Sequence, residues 1–442
     1  MMRTYQWGVA LATGLVACAV QASVAIEHWT EPSGARVALI RLTNLPMVDL
    51  QVDVDAGSRR DPESLTGLAS ATTLMLTQSV RAHNGQAALD ENAVAEAWAD
   101  LGAQFGVSAT SDRMSVRLRT LSQGHVAQSA IDLASQQLAY PAFDAPLWDR
   151  DRQRLIAAWE DRQQQPDVIA SRRFQQAVFG GHPYGRESKP EHWQRMTVTD
   201  MANFYREHAL ACNARVSVVG DVTREQASAW VQQLLAAWAP HGCPSLPAVA
   251  EVEPLAEAQA IRLPAQASQA HIWVGQPGIA RADPDFFPIV VGNHILGGSG
   301  FTSRLMQEIR EKRGLTYGVF SFFSPGKHAG TFGANMQTRP DQAQLALDLI
   351  QAEIRQFVEQ GPTAKELADA QQSLVQGFVL RIDTNRKLLD NLAAMLWNDL
   401  PMDYLDNWTQ QIQAVTREQI QAAFARVLQP DHMVTVVVGG QP

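Results

Sequence analysis

Two side chains able to polarise a carbonyl group stand on either side of a glycine, at Arg310 and Tyr317. A guanidinium offers a rigid fork of donors and a phenol adds one more, so the pair suits a substrate carbonyl or a developing oxyanion. The two residues are seven positions apart and can approach one point only if the chain turns sharply at Gly314. The local alternative is a solvated helix charge at Arg310 and an ordinary strand aromatic at Tyr317.

The stretch 303–317 predicts a helix, a stop and the start of a strand. Leu305 and Ile309 are four positions apart, as on one face of an amphipathic helix, and the charges gather towards Gly314. A glycine in that place is typical of a helix C-cap, and we expect a strand from Thr316 to Ser324.

A glycine-rich segment precedes this helix, with Gly297, Gly298 and Gly300. It nearly spells the G-x-S-x-G nucleophile elbow, but the last glycine is missing and helices are expected on both sides of it. It also lacks the Gly-Lys-Ser/Thr of a phosphate-binding loop. We therefore interpret the segment as a flexible turn before the helix that carries Arg310.

Composition sets the class of protein and of partner. The chain has 442 residues, a formal net charge of −9 and 46% hydrophobic residues, which is typical of a globular protein with more than one domain. We expect no nucleic-acid partner, because no Lys/Arg-rich run is present. A basic peptide would suit the negative charge better.

Residues 1–22 have the features of a secretory signal peptide: Arg3, a hydrophobic run and a small-residue cleavage site. We therefore expect a periplasmic protein. Leu15-Val16-Ala17-Cys18 resembles a bacterial lipobox, so membrane attachment depends on whether Cys18 is lipidated. Cys212 and Cys243 remain in the mature chain, and the sequence leaves open whether they form a disulfide.

The order of elements repeats along the chain. Alternating strands and amphipathic helices fill 23–240, a proline-containing linker covers 241–256, and 257–442 repeats the same order. The segment Val216-Ser217-Val218-Val219-Gly220 recurs as Thr435-Val436-Val437-Val438-Gly439. We predict an α+β protein with two homologous domains, each a mainly antiparallel sheet with helices packed on it, whose halves can face each other around a binding chamber.

Short motifs in both halves carry a family resemblance: Gly67-Leu68-Ala69, His182-Pro183-Tyr184-Gly185, Leu296-Gly297-Gly298, Ser303-Arg304-Leu305 and the run from Glu308 to Tyr317. Together they resemble the pitrilysin/insulinase-type zinc metallopeptidases, the inverzincins, which include the mitochondrial processing peptidase. The resemblance implies a clamshell of two domains that closes on peptides. It also implies that Arg310 and Tyr317 correspond to the arginine and tyrosine of the family's active site.

The zinc motif that the resemblance implies is degenerate. The family binds zinc through H-x-x-E-H on a helix and a distant glutamate. Here the two histidine positions hold Ser70 and Leu74, the catalytic glutamate position holds Thr73, and Asp151 stands where the third ligand is expected. Leucine has no lone pair and threonine is no general base, so we expect no metal in this chain.

The resemblance therefore implies the degenerate, non-zinc subunit of a heterodimeric peptidase. Its partner would be a homologous subunit carrying H-x-x-E-H and the zinc, and this chain would supply Arg310 and Tyr317 for substrate binding and oxyanion stabilisation. The alternative is a non-enzymatic peptide-binding or scaffold protein with the same clamshell fold. Gly106-Val107, where the family usually has Asn-Ala in the substrate-edge strand, weakens peptide clamping by the first half.

Overall fold

The computed structural model describes residues 24–238 and 243–439. The predicted signal peptide, Cys18 and the first two residues of the predicted linker lie outside these ranges. Within them, no helix combines the length and the apolar content needed to cross a bilayer. The described residues form fourteen α-helices, eleven β-strands and several short 3₁₀- and π-helical turns.

The first half contains six strands and eight helices. The strands are β1 (Glu27–Thr30), β2 (Arg36–Arg41), β3 (Met47–Val54), β4 (Gln104–Ala109), β5 (Met114–Leu121) and β6 (Arg215–Gly220). The helices are α1 (Leu68–Leu76), α2 (Glu91–Asp100), α3 (Gly124–Ala139), α4 (Ala145–Arg162), α5 (Pro166–Phe179), α6 (Pro190–Arg195), α7 (Val198–His208) and α8 (Arg224–Leu235).

The second half contains five strands and six helices. The strands are β7 (Gln259–Leu263), β8 (Ala270–Pro277), β9 (Val319–Ser324), β10 (Thr331–Thr338) and β11 (Val434–Val438). The helices are α9 (Phe286–Asn293), α10 (Ala343–Gln360), α11 (Ala364–Gly377), α12 (Asn385–Trp397), α13 (Tyr404–Ala414) and α14 (Arg417–Val427).

Both halves use one sheet topology. The first sheet has the order β1-β2-β6-β3-β5-β4 and the second β7-β11-β8-β10-β9, so the second sheet repeats the first without its outermost strand. In each sheet one pair is parallel, β2 with β6 and β7 with β11, and the remaining pairs are antiparallel. The predicted fold class, mainly antiparallel sheets with packed helices in two homologous halves, is confirmed.

The halves are joined by an exchange of helices. Helix α5, from the first half, packs on β8 and β11 of the second sheet, and α12, from the second half, packs on β6 and β3 of the first. Phe174 and Val178 of α5 form a core with the valines of β11, while Leu389 and Leu392 of α12 pack on Ile40 of β2. Each sheet is therefore covered on one face by its own helices and on the other by the exchanged helix.

The segment between the halves has no helix or strand over 243–258. Cys243 at its described start is joined by a disulfide to Cys212, just before β6. The pairing that the sequence left open is therefore present. Further along, Ala250 accepts a hydrogen bond from His182 Nε2 at 3.0 Å, so the segment is held against the first half.

Candidate functional site

Helix α1 holds the positions of the degenerate zinc motif. It begins after Gly67, whose φ of 101° is left-handed and whose place beside Ser188 leaves no room for a Cβ. The carboxylate of Asp61 accepts hydrogen bonds from Gly67 N at 2.7 Å and Ala69 N at 2.9 Å, so it satisfies free donors at the helix start. Burial dominates at this carboxylate and raises the pKa of Asp61 to about 7.

Three of the four degenerate positions lie on α1 and offer no metal site. Ser70 is exposed, Leu74 is half-buried and Thr73 is buried. The Thr73 hydroxyl donates to the backbone oxygen of Ser70 at 2.9 Å, so its proton is used inside the helix. None of the three is an imidazole or a carboxylate, and this donor set does not fit zinc.

The fourth position, Asp151 on α4, is held in an ion network. Its buried carboxylate pairs with Arg150 at 2.9 Å and Arg154 at 3.1 Å and accepts a hydrogen bond from Gln78. Burial alone would raise its pKa, but the hydrogen bonds from Arg150 and Gln78 outweigh it, so the pKa of Asp151 lies below its ordinary value. Arg150 also binds Glu91 at 2.5 and 3.0 Å.

The cations that surround Asp151 would repel a metal ion. Across the described ranges, no group of three or more His, Cys, Asp and Glu side chains is placed to hold one. The residues present at the family's zinc site therefore do not fit the metal.

The helical segment that carries Arg310 ends at Gly314, as the sequence predicts. Leu305 and Ile309 are fully buried, and the turn Met306–Glu311 is π-helical. Gly314 has a φ of 64°, its amide donates to Arg310 O at 2.8 Å, and the Leu315 amide reaches back to Ile309 O at 3.1 Å. These bonds close the helix and reverse the chain direction after Arg310.

The Arg310 side chain is engaged locally. Its guanidinium pairs with Glu311 and lies over the Phe301 ring, 4.6 Å from the ring centroid. About a third of the side chain is exposed. Arg310 is therefore neither free in solvent nor buried, and its present ion pair is with a neighbouring carboxylate.

Tyr317 lies in a bend before β9, so the strand begins at Val319 and not at Thr316 as predicted. The bend forms because the Thr316 hydroxyl accepts from Gly318 N at 3.1 Å and donates to Gly318 O at 2.9 Å, which takes these groups out of the ladder. Tyr317 is 91% exposed and lines a cleft of about 390 Å³ beside α5. Arg310 does not line this cleft, so the turn at Gly314 leaves the two side chains in separate surroundings.

The glycine segment is more helical than the sequence indicated. Gly297 and Gly298 continue α9 as a π-helical turn over His294–Gly298, and Gly300, with a φ of 63°, begins a 3₁₀ turn over Gly300–Thr302. A Cβ on Gly297 would stand 2.4 Å from Ser321 on β9. Gly297 thus allows close approach of helix and strand. The turn that we expected over Gly297, Gly298 and Gly300 is instead a π-helical turn followed by a 3₁₀ turn.

Two residues that line the cleft beside Tyr317, one on α5 and one on β8, could not be predicted from the sequence. Asp167 and Trp273 line the Tyr317 cleft although they belong to different halves. Only the exchange of helices brings them together, and no local pattern reveals it.

Comparison with known proteins agrees with the fold. Residues 36–189 match the profile of the insulinase family, peptidase family M16, and residues 195–374 match the profile described as the peptidase M16 inactive domain. The crystal structure of a peptidase M16 inactive domain from Pseudomonas fluorescens is 33% identical, with a TM-score of 0.87 over 95% of this chain and 98% of that one. The chain belongs to peptidase family M16.

Some relatives are named zinc proteases and another is named a non-peptidase homolog. An uncharacterized zinc protease of Streptomyces coelicolor is 25% identical over 91% of this chain and 87% of its own length. The non-peptidase homolog YmxG of Helicobacter pylori is 24% identical over 91% of both chains. In this chain Ser70, Thr73 and Leu74 occupy the metal and base positions of the first half, and residues 195–374 match the profile described as the peptidase M16 inactive domain.

Proposed function

We propose that this chain is the non-zinc subunit of a heterodimeric peptidase and that it contributes Arg310 and Tyr317 to the binding of peptide at its partner's site. The observation that carries the proposal is the exposure of Tyr317: a tyrosine 91% exposed beside a cleft, in a chain whose own metal positions are replaced. Phe320 is also exposed and lines the same cleft, and adjoining exposed aromatic side chains at a cleft are typical of a surface that binds a ligand.

In this proposal the partner is a homologous M16 subunit that carries H-x-x-E-H and its zinc. Arg310 would leave Glu311 and donate to substrate carbonyl groups, and the Tyr317 hydroxyl would donate to the oxyanion of the tetrahedral intermediate. Such a donor is worth about 2.7–4 kcal/mol where it has been removed from other enzymes. The features of a signal peptide in residues 1–22 and the Cys212–Cys243 disulfide support a periplasmic location.

The test is reconstitution with a zinc-bearing homologue from the same organism, using peptide cleavage as the readout. We expect neither subunit to cleave alone and the mixture to be active. Arg310→Ala and Tyr317→Phe should each lower kcat/KM by about 10²-fold or more. Arg310→Lys should also lower it, because the planar fork is lost.

Arg313→Ala is the matched control, since Arg313 lies on the same turn but pairs with Glu308. Co-elution of each variant with the partner keeps assembly separate from catalysis. Full activity of the Arg310→Ala mixture would refute the proposal.

A second candidate function is peptide binding without catalysis, on the same clamshell fold. It is favoured by the present state of Arg310, whose charge is already paired with Glu311 and stacked on Phe301. In that case the chain would bind peptides, no zinc-bearing homologue would gain activity from it, and Arg310→Ala would leave peptide affinity unchanged.

A further inference from the structure

The cleft beside Tyr317 is built from both halves of the chain. Its walls include Asp167 from α5, His271 and Trp273 from β8, Phe320 from β9 and Asn335 from β10, and it encloses about 390 Å³. This volume is within the range of small ligand pockets and accommodates one long side chain. We call it the α5 cleft.

The helix exchange creates the α5 cleft. Helix α5 packs mainly on β8 and β11, so the face of the sheet formed by β10 and the edge strand β9 extends beyond it. Across this face Trp273 lies opposite Asn335, and Asn335 lies opposite Phe320. The floor is therefore a row of aromatic, amide and aromatic side chains, with Tyr317 at its edge and Asp167 on the helix above.

The charge of the α5 cleft is negative. Asp167 supplies a carboxylate, and none of the described residues that line the cleft is a lysine or an arginine. Burial lowers the pKa of His271, against a smaller opposite effect of Asp167, and so favours the neutral imidazole. Aromatic faces beside a carboxylate attract a cation, because ring quadrupoles and the negative charge act in the same direction.

We propose that the α5 cleft binds a basic side chain, arginine or lysine, of an extended peptide. The cation would lie against Trp273, Tyr317 and Phe320 with its charge towards Asp167, and Asn335 would accept a hydrogen bond from it. This inference rests on the proposed function, since it places the selected side chain next to Tyr317.

The other half of the chain contains a related cleft of opposite charge. There α12 takes the place of α5, and a cleft of about 340 Å³ is lined by Arg117, Arg119 and Arg386, by Asp49, which pairs with Arg119, and by Gly106 of the edge strand β4. Asp167 is the second residue of α5 and Arg386 is the second residue of α12. Arg386 therefore offers a control in the same structural position but outside the α5 cleft.

The test uses the isolated full-length mature chain and fluorescein-labelled decapeptides that differ at one position, which holds arginine, lysine, citrulline or norleucine. Binding is measured by fluorescence anisotropy at low ionic strength. Citrulline keeps the shape of arginine without its charge. We expect the arginine and lysine peptides to bind at least about fivefold more tightly than the neutral ones.

Variants assign the preference to the cleft. Asp167→Asn should remove the difference between the arginine and citrulline peptides, and Trp273→Leu should reduce it, whereas Arg386→Gln should preserve it. Asp167 is exposed, so its variant should fold, and circular dichroism checks this. Equal affinity of the native chain for both peptides, no binding of any peptide at millimolar concentration, or an unchanged preference in Asp167→Asn would overturn the inference.

These outcomes are distinguishable from failure of the proposed function. If reconstituted cleavage depends on Arg310 and Tyr317 but the native chain shows no preference for basic peptides, the subunit role stands and the α5 cleft assignment fails. If the preference is present and lost in Asp167→Asn while Arg310→Ala retains full cleavage, the cleft stands and the catalytic role fails.

Discussion

Asp167 and Arg386 occupy the same position, the second residue, of the two helices that cross between the halves in opposite directions. The duplicated unit has thus kept its scaffold and changed the sign of the charge that faces each cleft. The two clefts share their sheet topology, so their ligand preferences depend on a few side chains and not on the backbone.

The helix exchange should dominate cohesion between the halves. Leu392 of α12 is fully buried against the first sheet, so Leu392→Ala removes buried methyl groups and leaves a cavity. We expect it to lower the free energy of unfolding by about 2–5 kcal/mol. Urea denaturation measures this loss, with Leu345→Ala as the control because Leu345 is an exposed residue of α10. A loss below 1 kcal/mol would mean that α12 contributes little to holding the halves together.

Restoring the zinc motif by itself should restore little zinc binding. The combined changes Ser70→His, Thr73→Glu and Leu74→His supply two imidazoles, but Asp151 stays engaged by Arg150. We expect weak zinc affinity by calorimetry, and a clear gain when Arg150→Gln is added, because one neighbouring cation is then removed from the carboxylate. Arg150→Gln alone is the control. Tight zinc binding by the triple variant that keeps Arg150 would show that the ion network around Asp151 does not oppose the metal.

Much of the fold could be predicted from the sequence because local patterns determine it. The alternation in 47–54 predicts β3 with the bounds that are found, and the repeated valine segments predict the equivalence of β6 and β11. The alternation predicts a half-buried strand, however, and β3 is buried on both faces because α12 packs on it as well. The exchange of α5 and α12 could not be predicted, since an amphipathic helix has the same pattern whether it packs on its own sheet or on the other. The short strands β1 and β7 carry too few residues for a clear period.

For the candidate site, the sequence predicts which residues we propose to act but not their geometry. The Gly314 stop followed from the pattern and is present. The bend at Thr316 and the pairing of Arg310 with Glu311 depend on single side-chain hydrogen bonds, which no periodicity reports. The α5 cleft depends on contacts between distant parts of the chain, and only the position of Asp167 and Arg386 in the duplicated unit hints at it.

Asp61 should make stability depend on pH. Its pKa is raised from 3.8 to about 7 in the folded chain, so the folded state binds the proton more tightly than the unfolded state. The resulting stabilisation is complete below about pH 4 and is lost as the pH rises to about 7. We expect the free energy of unfolding of the native chain, relative to that of Asp61→Asn, to be higher at pH 4.5 than at pH 7.5. Urea denaturation of both proteins at the two pH values measures this difference. A gap that widens towards pH 7.5 would contradict the raised pKa.

The disulfide should stabilise the region before β6. Cys212 and Cys243 are 31 positions apart in the sequence, and closing a loop of that length destabilises the unfolded chain by about 3–4 kcal/mol. We expect the double variant Cys212→Ser, Cys243→Ser to unfold at lower urea concentration than the oxidised native chain. The reduced native chain serves as control and should match the double variant. Equal stability of the oxidised and reduced protein would show that the bridge makes no net contribution to the free energy of unfolding.

Glu311 should restrain Arg310 before substrate arrives. In the proposed role Arg310 must leave this carboxylate to reach a substrate carbonyl, and Glu311→Gln removes the ion pair that competes with the substrate. An exposed ion pair of this kind is worth up to about 1 kcal/mol. We therefore expect the reconstituted peptidase that contains Glu311→Gln to have a KM about two- to fivefold lower than the one with the native chain, with kcat nearly unchanged. Glu308→Gln is the matched control, because Glu308 pairs with Lys312 and Arg313 on the same helix end. An equal fall in KM for both variants would point to general removal of negative charge and not to release of Arg310.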